Sequence, residues 1–169
     1  MDSGMEGIDL ETLAAQLGES LRERGLMLTT AESCTGGWVA QAITAVSGSS
    51  QWFERGFVTY SNLAKVETLG VHPATLEQHG AVSEPTVREM AQGALAHSHA
   101  QVAVAVSGIA GPGGGSLEKP VGTVCLAWAG NGLETRTHCL QFMGNREAVR
   151  RQAVAAVLHG LLDRLSEQP

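Results

Sequence analysis

This chain is short of basic residues, of lysine above all, and of cysteine, and each shortage closes off a class of function. Eleven Lys and Arg stand against 17 Asp and Glu, for a formal net charge of −6 over 169 residues. No basic stripe is left to follow a phosphate backbone, which argues against nucleic acid as the main partner; a small anion needs only a local positive site. The three cysteines, Cys34, Cys125 and Cys139, are an odd set without CxxC spacing. That pattern predicts reduced thiols in a cytoplasmic protein rather than a disulfide frame, and it makes no zinc site. No apolar run reaches about 18 residues, and Met1 to Gly7 carries neither a basic stretch nor an apolar one, so neither membrane span nor export signal is expected. A Walker sequence and the dinucleotide fingerprint are missing as well. His97 and His99, two apart on an expected helix, point to nearly opposite faces, and the other histidines have no ligand spacing, so no metal is expected.

What is present is a globular composition, 43% hydrophobic and 17% charged, with 21 glycines gathered partly in clusters. After a short Gly-containing tail, Leu10, Leu13, Leu17 and Leu21 mark one face of a helix that Asp9 caps and Gly25 ends. Leu26 to Thr30 reads as a strand, Trp38 to about Val46 as a helix, and Gly56 to Tyr60 as a second strand. Ser61 and Asn62 open a short helix that Gly70 closes, Pro73 to His79 adds a turn or two, and Ser83-Glu84-Pro85 starts a long helix. Gln101 to Val106 is apolar throughout, as in a strand covered on both faces. Strands over Gly122 to Ala129 and Glu134 to Phe142, joined through Gly130-Asn131-Gly132, precede a closing helix from about Asn145 to Leu165. The alternation predicts one α/β/α domain with a mixed, mostly parallel sheet.

Three stretches carry chemistry. The first is Thr30-Ala31-Glu32-Ser33-Cys34-Thr35-Gly36-Gly37, which puts Ser33 on a strand-to-helix turn, beside N–H groups suited to an oxyanion. Ser33 or Thr35 as a simple helix cap is the competing reading. The second is Tyr60-Ser61-Asn62-Leu63-Ala64-Lys65, where Tyr60 and Lys65 can converge on the same crevice. Only two of the eleven cations are lysines, Lys65 and Lys119, and both lie in these stretches. A lysine, unlike an arginine, can lose its proton when buried and act as a base; a solvated Lys65 is the plainer alternative. The third is Ser107-Gly108-Ile109-Ala110-Gly111-Pro112-Gly113-Gly114-Gly115, whose backbone N–H groups suit a phosphate, with Ser107, Lys119 or Arg146 as added contacts. Cys34 is a rival nucleophile without a histidine in these stretches to activate it, and Arg150 and Arg151 read as a solvated helix face.

These stretches, together with Phe57 to Asn62, His79 to Glu84 and Lys119-Pro120-Val121-Gly122-Thr123-Val124, resemble the CinA C-terminal domain family over residues 8–165, almost the whole chain. The form resembled is a stand-alone one, without the N-terminal domain of longer competence-associated members. The resemblance implies a five-stranded three-layer fold, commonly a homodimer, and nicotinamide-nucleotide amidohydrolase activity in pyridine-nucleotide salvage and NAD metabolism, with no cofactor. The substrate it implies is a pyridine mononucleotide. The family's serine falls on Ser33, its tyrosine on Tyr60 and its lysine on Lys65. Lys65, directly or through Tyr60, would deprotonate Ser33, with Cys34, Thr35 and Gly36 lending N–H groups to the oxyanion. Asn62, Ser107, Gly108, Gly111, Gly113, Gly114 and Arg146 would hold the substrate. A binding module acting in competence or DNA repair without turnover is the alternative.

Overall fold

The computed structural model describes residues 9–167, so the Gly-containing tail and residue 8 of the expected domain lie outside it. Asp9 accepts the Glu11 N–H and starts α1 (Leu10–Glu23), supplying an acceptor that the first turn of a helix otherwise lacks. β1 (Leu28–Glu32) is buried along its whole length. α2 (Trp38–Thr44), a 3-10 turn at Ser49–Gln51 and β2 (Phe53–Val58) follow. Ser61 caps α3 (Asn62–Leu69), and Gly70 ends it at a φ of 72°, in the left-handed region that glycine enters without strain. α4 (Pro73–His79) and α5 (Glu84–Ala96), the latter capped by Ser83, lead to β3 (Val102–Gly108). β4 (Thr123–Gly130) and β5 (Leu133–Gln141) form the expected hairpin about Asn131 and Gly132, and Asn145 caps α6 (Arg146–Ser166).

The strands lie in the order β2-β1-β3-β4-β5. β1 pairs in parallel with β2 and β3, and β4 is antiparallel to β3 and β5, so β4 alone runs against the other four. The mixed, mostly parallel sheet is therefore as expected, but two strands sit a little off their expected places. β1 begins two residues late and β2 ends at Val58, leaving Tyr60 beyond it. Glu32 pairs with both Val58 and Val106, and pairing along two edges outweighs the propensity of single residues. α5 likewise stops at Ala96, so His97 and His99 lie past the helix rather than on it.

Alternation divides the sheet into a branched face and a small one. Leu28, Val102, Val104, Val106, Val124 and Leu126 pack under α1, α2 and α6, whereas Ala31, Ala103, Ala105, Ala127 and Ala129 meet Val87, Met90, Ala91 and Ala94 of α5. On that second side the packing is close. A methyl group built on Gly93 of α5 would lie 1.9 Å from the Leu69 carbonyl oxygen.

The cysteines correct the sequence reading. Cys125 and Cys139 stand directly opposite each other on β4 and β5 and form a disulfide, leaving Cys34 as the free cysteine among the described residues. Their separation of 14 residues, folded back by a tight hairpin, makes them cross-strand neighbours. No helix among the described residues is long and apolar enough to cross a membrane.

From β1 the chain passes to β2 on one side and reaches β3 on the other. The carboxyl end of β1 is thus where the strand order changes direction, and in an open sheet that is where a crevice forms.

Candidate active site

Ser33 is the first residue past β1, and its N–H donates to the Val106 carbonyl of β3 at 3.0 Å. Gly37, at a φ of 105°, turns the chain into α2 without a side-chain cap. Neither Ser33 nor Thr35 fills that role. It falls to Glu32, only 1% exposed, whose carboxylate accepts the N–H groups of Gly37, Val39 and Ala40 and the Thr35 hydroxyl at 2.6–3.1 Å. A carboxylate answers both the unpaired donors and the positive end of the helix, so the α2 N-terminus is already occupied. The Gly36 N–H is spent too, on the Ser33 carbonyl. Among the described residues, the N–H groups of Cys34 and Thr35 are the two in this turn that donate to no protein acceptor.

Lys65 reaches the turn from α3. It is 1% exposed, and its Nζ lies 2.9 Å from Ser33 Oγ, 2.9 Å from the Thr59 carbonyl oxygen and 3.4 Å from that of Tyr60. No carboxylate forms an ion pair with it among the described residues. Burial holds its pKa below the ordinary lysine value, against a smaller opposing pull from Cys34. Nζ donates to the Ser33 hydroxyl oxygen and to both carbonyls; were the amine neutral, its two hydrogens would serve the carbonyls and its lone pair would face the Ser33 hydroxyl proton. Burial drives Cys34 the other way, its thiol pushed up to about 11 in spite of nearby Arg150, so it stays protonated at neutral pH and is a poor nucleophile.

Tyr60 stands apart from this pair. It is exposed, and its hydroxyl accepts from Arg146 Nη2 at 3.1 Å, while Arg146 Nη1 donates to the Gly111 carbonyl at 2.7 Å. The Lys65 to Ser33 contact is direct, so a proton needs no relay through Tyr60. A cavity of about 260 Å³ is lined by Ser33, Cys34, Tyr60, Asn62 and Lys65 on the β1 and β2 connections, by Ser107 and Gly108 at the end of β3 and by Ile109, Ala110, Gly111, Gly113 and Gly114 after it, with Arg146 of α6. Thr35 and Gly36 are not part of that lining. The glycine loop is shaped by contact, since a Cβ on Gly111, at a φ of 84°, would meet Val121 Cγ1 at 2.4 Å.

Four features escaped the sequence reading. Ala81 and Val82, on the turn between α4 and α5, complete the lining. Lys119 is not in the lining; its Nζ donates to the His79 carbonyl at 2.6 Å, joining the glycine loop to that turn. Glu32 has no role in the sequence reading of the Thr30 to Gly37 stretch, and its distance of only five residues from Gly37 was the available signal. Arg150, read as solvated, donates to the carbonyls of Cys34 and Thr35.

The lining thus contains a lysine, an arginine and no carboxylate. No group of three His, Cys, Asp or Glu among the described residues is placed to hold a metal ion.

The fold and site together define an α/β/α domain with a serine and a buried lysine in hydrogen-bond contact at the carboxyl ends of its strands. More particularly, the chain belongs to the CinA C-terminal domain family, whose model matches residues 10–165. It is 59% identical over 160 residues to nicotinamide-nucleotide amidohydrolase PncC of Escherichia coli (strain K12), covering 93% of this chain and 95% of that one. The Pseudomonas putida protein of the same name is 58% identical over 153 residues, with 90% and 95% covered. Among solved structures, the competence damage-inducible protein A (ComA) of Klebsiella pneumoniae superposes with a TM-score of 0.92 at 42% identity, covering 96% of this chain and all of that one.

Proposed function

We propose that this protein is a nicotinamide-nucleotide amidohydrolase, converting nicotinamide mononucleotide and water to nicotinate mononucleotide and ammonia. One observation carries the reading: Lys65 Nζ lies 2.9 Å from Ser33 Oγ, buried and without an acidic partner among the described residues. The names of the relatives that are 58–59% identical over nearly the full chain support the choice of substrate.

In this mechanism neutral Lys65 takes the Ser33 proton as Oγ attacks the carboxamide carbon. The unspent N–H group of Cys34, which lines the cavity, is the donor for the negative oxygen that develops. Lys65 returns the proton to the leaving nitrogen, the C–N bond breaks, and ammonia departs. Water then attacks the nicotinoyl ester with Lys65 as base, freeing the carboxylate and restoring Ser33. The nicotinamide ring of the nucleotide is a pyridinium cation. A neutral amine spares it a like charge, and the loss of the amine's charge costs little in a buried site. The glycine loop of Gly111, Gly113 and Gly114, with Ser107, Gly108, Asn62 and Arg146, holds the ribose phosphate, and Tyr60 orients Arg146.

We assign this activity to residues 8–165 as one domain working as a homodimer. The exposed apolar side chains Val58 and Leu63 beside edge strand β2 support self-association. Incubating the purified protein with nicotinamide mononucleotide tests the activity. Stoichiometric ammonia and nicotinate mononucleotide are expected, and binding without release of either would overturn the assignment.

A further inference from the structure

Arg150 lies one helical turn beyond Arg146 on the same side of α6, and the proposed reaction makes no use of it. Its Nε donates to the Cys34 carbonyl at 3.0 Å and its Nη2 to the Thr35 carbonyl at 3.1 Å, with the guanidinium carbon 5.3 Å from the centroid of the Trp38 ring. A planar fork stacked on an indole grips two successive carbonyls at once, which a single ammonium cannot do.

The consequence follows from peptide geometry. In a trans peptide the C=O and the N–H point in opposite directions. The Thr35 oxygen and the Gly36 N–H belong to one peptide plane, and that N–H holds the Ser33 carbonyl at 3.0 Å, whose own plane carries the Cys34 N–H; anchoring the Thr35 oxygen on Arg150 thereby fixes where the Cys34 N–H aims. The neighbouring donors are all engaged: Ser33 with Val106, Gly36 with Ser33, and Gly37, Val39 and Ala40 with Glu32. We infer that Arg150 is a positioning residue for Ser33 chemistry. By holding the Cys34 and Thr35 carbonyls it orients the unspent Cys34 N–H, which lines the cavity, toward the oxyanion, without touching substrate. The inference rests on the serine mechanism proposed above, but it can be judged without the natural substrate.

A fluorophosphonate probe serves for this. Ser33 Oγ forms a bond to phosphorus, fluoride leaves, Lys65 takes the serine proton, and negative charge develops on the phosphoryl oxygen as it does on an amide. Labelling rates at Ser33 are compared for the wild-type protein, Arg150→Ala and Arg150→Lys, with melting temperature measured alongside. Labelling about 10- to 100-fold slower is expected in both variants, scaled from the loss of a whole oxyanion donor. Nicotinate mononucleotide binding should change by less than about 3-fold, because a uniform binding contact is not what is lost. The pH midpoint of labelling, set by Lys65, should stay in place, and millimolar guanidinium should restore part of the rate in Arg150→Ala. If Arg150→Ala fails to fold, Arg150→Lys carries the comparison. Labelling as fast in a folded variant as in the wild type, whether both are fast or both slow, overturns the inference. A displaced pH midpoint also overturns it, since Arg150 would then act through Lys65. Ammonia release by the wild-type protein decides the substrate separately.

Discussion

Lys65 Nζ and Ser33 Oγ meet at 2.9 Å although 32 positions separate the two residues in the chain. Each comes from a different strand connection, and the carbonyls of Thr59 and Tyr60 complete the surroundings of the amine. Burial lowers the proton affinity of the amine, and no carboxylate forms an ion pair with it among the described residues.

Replacing the nucleophile should separate Ser33 from its neighbour. Ser33→Ala is expected to abolish ammonia release while leaving melting temperature and nucleotide binding near wild type. Cys34→Ala should keep most of its turnover, because a thiol with a pKa of about 11 is protonated at neutral pH. An inactive Cys34→Ala protein beside an active Ser33→Ala one would reverse the assignment.

The base can be tested by pH. The pKa of Lys65 is lowered, so its neutral fraction grows as pH rises through that lowered value. Activity should climb along the same limb and level off above it. Lys65→Arg should be nearly as inactive as Lys65→Ala, since arginine keeps its proton, and the limb should be missing from any residual rate. A Lys65→Arg enzyme with wild-type turnover and an unchanged profile would dispose of the serine-lysine mechanism.

Arg146 joins Tyr60 to the glycine loop, so its loss should act on substrate binding. Arg146→Ala is expected to raise KM for the nucleotide by roughly tenfold or more, in keeping with a charge-assisted contact of about 1.5–3 kcal/mol. The same variant should lose little on nicotinamide riboside, which has no phosphate. Tyr60→Phe should show a smaller loss in the same direction. Equal catalytic efficiency of the wild-type protein on nucleotide and riboside would remove the loop from phosphate binding.

Packing offers a prediction independent of function. Gly93→Ala gains about 1 kcal/mol of helix propensity. It also forces a methyl group against the Leu69 carbonyl, which belongs to the backbone at the end of α3 and cannot rotate aside. Overpacking of this kind costs about 1–3 kcal/mol, and a contact of 1.9 Å lies at the severe end. The urea midpoint should fall, with no change in the pH profile of the surviving activity.

Local rules made much of this molecule legible in sequence. Asp9, Ser61, Ser83 and Asn145 each cap the helix that follows them, and Asn131-Gly132 turns the hairpin with the glycine alone at positive φ. The gathering of Ser33, Lys65 and Gly111 around one cavity could also be anticipated, because each follows a strand that ends at the same edge of the sheet. What stayed hidden depended on three-dimensional neighbours. Glu32 is a cap only because α2 folds back over it. Arg150 contacts a turn 115 residues away, and its i,i+4 spacing with Arg146 looks the same as that of a solvated face. The Cys125 to Cys139 pairing required the register of the hairpin, which a count of cysteines does not supply.

Placing β1 between β2 and β3 has a consequence for how such a catalyst can diversify. Ser33 and Lys65, assigned to breaking the amide, leave the sheet with the β1 and β2 connections, whereas most of the groups assigned to the anionic tail, the glycines from Gly108 to Gly114, lie at the end of β3 and after it. Reaction and recognition are thus borne largely on separate spans of chain, tied together by Arg146 between Tyr60 and Gly111. The span from Gly111 to Gly115 can lengthen, shorten or exchange side chains without passing through the turn that holds Ser33. A related amide with a different tail would then be reached by rebuilding one loop, with the bond-breaking half inherited intact.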